Sequence, residues 1–244
     1  MEPISTTEHV EKELTFREAL LPPSLRELRQ KLRQKAKQQK RFRFYSLYEL
    51  VCRMDTLEAA WAAVKRNDGA PGVDGVSIER MAATSESEAA FLLGIQESLR
   101  KKTYQAKAVL RVYIPKPNGK QRPLGIPTVR DRVVQMATKL VIEPIFEADF
   151  QPCSYGFRPK RSATQALEAI REAGNRGLNF VVDADIQGYF DSIQRETLLE
   201  LLKERLSDRR VLKLIRQWLE AGVMEDGTVR ETLAGTPQGG VMTA

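Results

Sequence analysis

A mixed α/β fold of the α+β type is what this sequence predicts, and three observations carry that expectation. Apolar residues recur at spacings of three and four in several separate windows, the period of a helix with one buried face. Residues 109–114 alternate apolar and polar, pass through Pro115-Lys116-Pro117-Asn118-Gly119-Lys120, and resume as a second strand over 122–126, a β-hairpin with a basic tip. Residues 179–185 form a compact apolar run that ends in carboxylates and reads as a buried strand. With 244 residues, 42% of them hydrophobic, the chain can hold one large domain, or one domain plus an appendage.

The elements follow in chain order. Residues 1–21 are polar and mixed in charge, a loose tail with room for a short helix. Pro22-Pro23-Ser24 then signals a helix start. Leu21, Leu25, Leu28 and Leu32 make one apolar stripe. Around it stand Arg26, Arg29, Lys31, Arg33, Lys35, Lys37, Lys40, Arg41 and Arg43, opposed only by Glu27. This basic amphipathic helix has three readings: an RNA-contacting helix, a membrane-surface helix or a solvated arm. Phe42, Phe44 and Tyr45 follow it and suit stacking on unpaired bases. Helices are predicted over 56–66 (Leu57, Ala60, Trp61, Val64) and 85–101 (Phe91, Leu92, Ile95, Leu99), separated by a Gly- and Pro-rich loop. A long helix over 128–146 starts at the capping Thr128. Others cover 161–173, capped near Ser162, then 195–206 and 208–221. Val223-Met224 and Val229-Arg230 flank Glu225-Asp226-Gly227-Thr228 as a small hairpin.

Composition narrows the chemistry. The net charge of +7 favours a polyanionic partner, nucleic acid first, against the plainer reading of a solvated basic surface. His9 is the only histidine and Cys52 and Cys153 the only cysteines. A histidine-based triad and a His- or Cys-ligated zinc site are therefore disfavoured, and two reduced, partly buried thiols are expected. No apolar run is long enough for a membrane helix, and the acidic, polar N-terminus is unlike a signal peptide, so a cytoplasmic location is expected. Chemistry must rest on carboxylates, hydroxyls, Lys, Arg and a divalent ion.

Three clusters could carry it. Asp183, Asp185 and Asp191 lie where a buried strand runs into a turn. Carboxylates there are costly unless a cation compensates them, and a hard ion such as Mg²⁺ takes oxygen ligands. The alternative is an Asp-rich turn that caps a helix. Lys116 and Arg122 at the hairpin could clamp a triphosphate or merely solvate a turn. Gly235-Thr236-Pro237-Gln238-Gly239-Gly240 could approach a ligand closely or be a plain turn.

Taken in order, these pieces resemble the reverse transcriptases encoded by group II introns. The resemblance begins near Tyr48 and rests on six motifs. They are Gly69-Ala70-Pro71-Gly72-Val73-Asp74-Gly75; Ile114 through the hairpin to Pro127; Arg130-Asp131-Arg132-Val133-Val134-Gln135; Ser154-Tyr155-Gly156-Phe157-Arg158-Pro159; Asp183-Ala184-Asp185-Ile186 with Tyr189-Phe190-Asp191; and Thr236-Pro237-Gln238-Gly239-Gly240. It implies a right-hand polymerase: a basic, largely helical N-terminal extension (1–47), fingers (48–180) and part of a palm (181–244). It also implies Mg²⁺-dependent, RNA-templated nucleotidyl transfer, with an RNA template (group II intron RNA or another RNA), a DNA primer and a dNTP as partners. Asp185 would be the catalytic metal ligand, helped by the backbone carbonyl of Ile186. Lys116, Arg122, Phe190 and Gln238 would hold the nucleotide, with Phe190 excluding a 2′-hydroxyl. Lys31, Lys35 and Arg41 would bind RNA, and Arg158 would make an RNA or a structural contact. Asp183 and Asp191 match acidic family positions but are not expected to bind metal, and Asp191 is expected to make structural hydrogen bonds.

The family also carries a second carboxylate pair downstream, of Tyr-Ala-Asp-Asp type, and the 244 residues do not include one. Two metal ions need convergent carboxylates, so this chain on its own is expected to be inactive, with an incomplete palm sheet and exposed strand edges. Two other functions compete: a non-catalytic maturase-like protein that binds intron RNA and aids splicing, and an inert remnant. Sequence sets neither the RNA nor the oligomeric state.

Overall fold

The computed structural model describes residues 20–115, 119 and 121–230; at residue 191 it describes the backbone alone. The expected N-terminal tail lies mostly outside these residues. Within them, ten helices and four strands run α1 (Pro23–Gln38), α2 (Tyr48–Val51), α3 (Met54–Asn67), α4 (Ile78–Met81), α5 (Ser85–Arg100), β1 (Val109–Pro115), β2 (Gln121–Ile126), α6 (Val129–Glu147), α7 (Ala163–Asn175), α8 (Tyr189–Ser192), α9 (Arg195–Lys203), α10 (Arg209–Glu220), β3 (Val223–Glu225) and β4 (Thr228–Arg230).

Helix starts follow capping chemistry. Thr128 Oγ1 accepts from the Asp131 N–H, Thr84 and Ser162 each close a reciprocal capping box, and Asp208 accepts from the Arg210 N–H. Each satisfies backbone donors that the first helical turn leaves without a partner.

Helix α6 is the hub. Its Val133, Val134, Ala137, Val141 and Ile145 are buried, and α1, α2 and α3 pack on it. One apolar core runs from Ala36 in α1 through Trp61 in α3 and Leu99 in α5 to Leu214 in α10, with no break at the expected boundary near residue 47. The sheet order is β2-β1-β3-β4: β1 pairs antiparallel with β2 and parallel with β3, through Val109↔Val223 and Leu110↔Met224. Both sequence-predicted hairpins form.

The strand expected over 179–185 is absent. Residues 178–186 form no strand. A strand needs a neighbour for its N–H and C=O groups, and no described segment pairs with this one. Phe180, Val181 and Val182 are 101%, 82% and 94% exposed, so the apolar run expected in a core faces solvent. The thiols also differ from expectation. Cys52 is buried, and that burial pushes its pKa up to about 11, whereas Cys153 is exposed.

Candidate nucleic-acid and nucleotide site

The basic helix is docked, not a solvated arm. Leu25 and Ala36 are fully buried. Arg29 reaches across to α6, donating to the Leu140 carbonyl at 2.5 Å and to Glu143 at 2.7 Å. The C-terminal end of α1 would leave carbonyls without partners. The buried guanidinium of Arg205 fills that need, donating to Ala36 O at 3.0 Å, Gln39 O at 3.2 Å and Lys40 O, and pairing with Asp149 at 2.9 Å. Phe44 then bridges to Leu206, through its N–H to Arg205 O (2.7 Å) and its carbonyl to Ser207 N–H (2.8 Å).

This docking sorts the expected RNA contacts. Lys31 is exposed and paired only with the equally exposed Glu27. Lys35 places its ammonium 3.6 Å from the Phe42 ring centroid, and Arg41 is exposed. Among the aromatics proposed for base stacking, Phe44 is a core residue and Phe42 is half-buried, leaving Tyr45 as the exposed ring.

Arg158 is the centre of its own loop. It grips Glu147 through two nitrogens (2.7 and 3.1 Å) and donates to the carbonyls of Gln151 and Ser154, both at 2.7 Å. At 8% exposure the side chain is spent inside the protein, the structural one of its two expected contacts. Its neighbour Phe157 is thrown outward, 85% exposed with φ of +53°.

The Gly-rich loop before α4 has a steric origin. A Cβ on Gly72 would stand 2.7 Å from the Thr128 backbone, so only glycine lets this loop lie against the start of α6. Arg132 ties the same loop down by donating to Ala70 O at 2.8 Å. Between them sits a buried network that sequence reasoning read only as a helix start. Asp131 accepts from Tyr104 Oη (2.6 Å), Thr128 Oγ1 (2.7 Å) and the Lys107 N–H (3.2 Å), and Trp218 Nε1 donates to Tyr104 Oη at 2.9 Å. Burial lifts the Asp131 carboxyl above its usual range, although these hydrogen bonds act in the opposite direction. A carboxylate three residues after a Thr cap was the available signal.

In the hairpin, Arg122 lies opposite Ile114 and is exposed; Lys116 lies outside the described residues, as does Gln238 with its Thr-Pro-Gln-Gly-Gly motif. Asp183, Asp185 and Ile186 are exposed on the extended segment before Gly188, whose φ of +61° turns the chain into α8. Phe190 is half-buried against Tyr189, ring centroids 5.4 Å apart. Carboxylate and carbonyl oxygens are the right donor type for Mg²⁺. Among the described residues, however, no group of three or more His, Cys, Asp or Glu side chains comes together to hold a metal. These residues offer part of a donor set.

The family described as "Reverse transcriptase (RNA-dependent DNA polymerase)" matches residues 114–244, more than half of the chain. The chain belongs to the reverse transcriptase family. The relatives that it matches include group II intron-encoded proteins. This reverse transcriptase chain is 38% identical to the group II intron-encoded protein LtrA of Lactococcus lactis subsp. cremoris over 82% of its own length and 33% of LtrA. It is 36% identical to protein YkfC of Escherichia coli (strain K12) over 89% of its length and 58% of YkfC. It thus spans between one third and three fifths of these relatives. In fold it is similar to a chain of a solved partial Cas6-RT-Cas1–Cas2 complex, with a TM-score of 0.53, 23% identity, and coverage of 81% of this reverse transcriptase chain and 32% of that one. Among the described residues no helix is long and apolar enough to cross a membrane.

Proposed function

We propose that the chain supplies the fingers and the first catalytic-carboxylate segment of a group II intron reverse transcriptase, together with an RNA-binding front. The observation that carries this reading is the family match from Ile114 onward, which takes in the end of β1, β2 and Asp185 together. In this reading residues 1–47, 48–180 and 181–244 act as extension, fingers and partial palm, in a protein working in the cytoplasm. Asp185 and the Ile186 carbonyl would help to hold Mg²⁺, which when bound supplies charge neutralisation at the transferring phosphate. Lys116, Arg122 and Gln238 would bind and orient the dNTP, and Phe190 would pack on its sugar. Lys31, Lys35 and Arg41 would hold RNA template or intron RNA by counterion release, with a DNA primer as the extended strand.

The 244 residues alone are expected to bind RNA without extending a primer. The test is a chimera in which this chain replaces the matching residues of LtrA, assayed for RNA-templated primer extension. Activity that disappears with Asp185→Asn supports the reading; activity indifferent to that change overturns it. One observation favours a second reading, a maturase-like protein that binds intron RNA without polymerising. The basic helix is docked on α6, with Lys31 exposed and Lys35 half-exposed over the Phe42 ring.

A further inference from the structure

Helix α1 carries cations on two faces, and the proposed RNA contacts use only one. At about 100° per residue, Arg33 and Lys37 project within about 20° of Arg26, while Lys31 and Lys35 point about 140–180° away. The Arg26–Arg33–Lys37 face forms one wall of a groove of about 720 Å³, whose other wall includes Phe150, Arg158 and Arg161. Two carboxylates line this groove, Glu143 and Glu147. Arg29 engages the first and Arg158 the second. Arg26, Arg33, Lys37 and Arg161 therefore face the groove with no further lining carboxylate to offset them. Arg161 stands 5.3 Å from the Tyr155 ring, which holds its guanidinium in place.

The groove continues into a second hollow that shares Leu21, Arg29, Glu143, Arg158 and Pro159 with it and is lined by Phe157. That ring is held outward by a left-handed backbone, a conformation that bulky side chains avoid and that persists only when the surroundings enforce it. Here the enforcement is the Arg158 side chain, which ties the turn back to Glu147, Gln151 and Ser154.

We propose that this groove is a second nucleic-acid site, a seat for single-stranded RNA, with the Arg26–Arg33–Lys37 row on the phosphates and Phe157 stacking on an unpaired base. A helical rise of about 1.5 Å per residue spaces those cations by about 10 and 6 Å along the groove, a row suited to a repeating polyanion rather than a lone phosphate. Guanidinium forks match phosphate oxygens, and a displayed aromatic beside a cationic track is the pairing that binds unpaired strands. An acidic polypeptide has no planar base to occupy Phe157. The inference rests on the RNA-binding reading above.

The test is fluorescence anisotropy of the 244-residue chain with a labelled oligouridylate across a salt series. The triple change R26Q/R33Q/K37Q should weaken binding at least tenfold and reduce the slope of log K against log salt by about 2. Phe157→Ala should weaken binding about five- to tenfold with the slope unchanged, and Phe157→Trp should restore it. Circular dichroism melts identify misfolded variants, and R26K/R33K, which keeps the charge, should retain the wild-type slope. If K31Q/K35Q/R41Q abolishes binding while the groove variants bind normally, the groove proposal falls and RNA binding stands. If wild type binds no RNA even at low salt, RNA binding itself falls. Poly-glutamate that binds as tightly, with the same sensitivity to Phe157→Ala, overturns the nucleic-acid assignment.

Discussion

Arg158 and Glu147 form a two-pronged ion pair in which neither side chain is more than a tenth exposed. It closes the loop between α6 and α7, and the same guanidinium holds two backbone carbonyls of that loop. Removing one partner strands the other charge away from water. Arg158→Ala or Glu147→Ala should lower stability by about 2–4 kcal/mol in urea melts, whereas breaking the solvent-screened Lys31–Glu27 pair should leave the melt almost unchanged.

Gly72 tests the packing of the Gly-rich loop. Adding a methyl at 2.7 Å from the Thr128 backbone forces the loop or the start of α6 to move. Gly72→Ala should cost about 1–3 kcal/mol in the same assay, whereas Gly94→Ala in α5, where a Cβ meets nothing within 4 Å, should be neutral or slightly stabilising.

Asp131 sets a pH dependence of a definite sign. Its folded-state pKa is raised, so between the ordinary carboxylate range and the higher folded value the native state keeps a proton that the unfolded state has lost. Its contribution therefore favours folding at low pH and is lost as pH climbs through that window. Asp55 and Glu88, whose pKa values are lowered in the fold, contribute with the opposite sign. Thermal melts at a series of pH values should show the difference between wild type and Asp131→Asn shifting against wild type as pH rises through the window. A constant difference would refute the assignment.

Catalytic and RNA-binding roles should separate. Asp185 is exposed and remote in sequence from the basic helix, so Asp185→Ala should leave RNA affinity unchanged. Neutralising Lys31, Lys35 and Arg41 together should weaken binding and lower the salt slope by about 2 in filter binding.

What the sequence makes legible is what local chemistry decides. The caps at Thr128 and Ser162, the Asp226-Gly227 turn and the stripe of α1 all depend on near neighbours, and all appear in the structure where expected. What it hides depends on distant partners. Nothing near Arg205 reveals that it closes the end of α1, where it binds a carbonyl 169 residues earlier. The Asp131–Tyr104–Trp218 chain joins α6 and α10 through the segment between α5 and β1. Residues 178–186 show the same limit in reverse. Their composition is that of a strand, but strand formation is a property of a pair. The expected Asp185 cluster likewise shows an exposed carboxylate whose companions a local reading cannot supply.

No described side chain between residues 159 and 198 is buried, while the backbone on either side is joined through Phe44, Leu206 and Ser207. That closure spans some 160 residues, and most of its entropic cost falls on making the first contact, because the cost grows only with the logarithm of loop length. The stretch around α7 therefore adds little to holding the body together. A protease nick at the exposed residues 178–182 should yield two pieces that still elute as one species from a sizing column and part only in denaturant. The body can thus tolerate motion or rebuilding in the very stretch that presents Asp185.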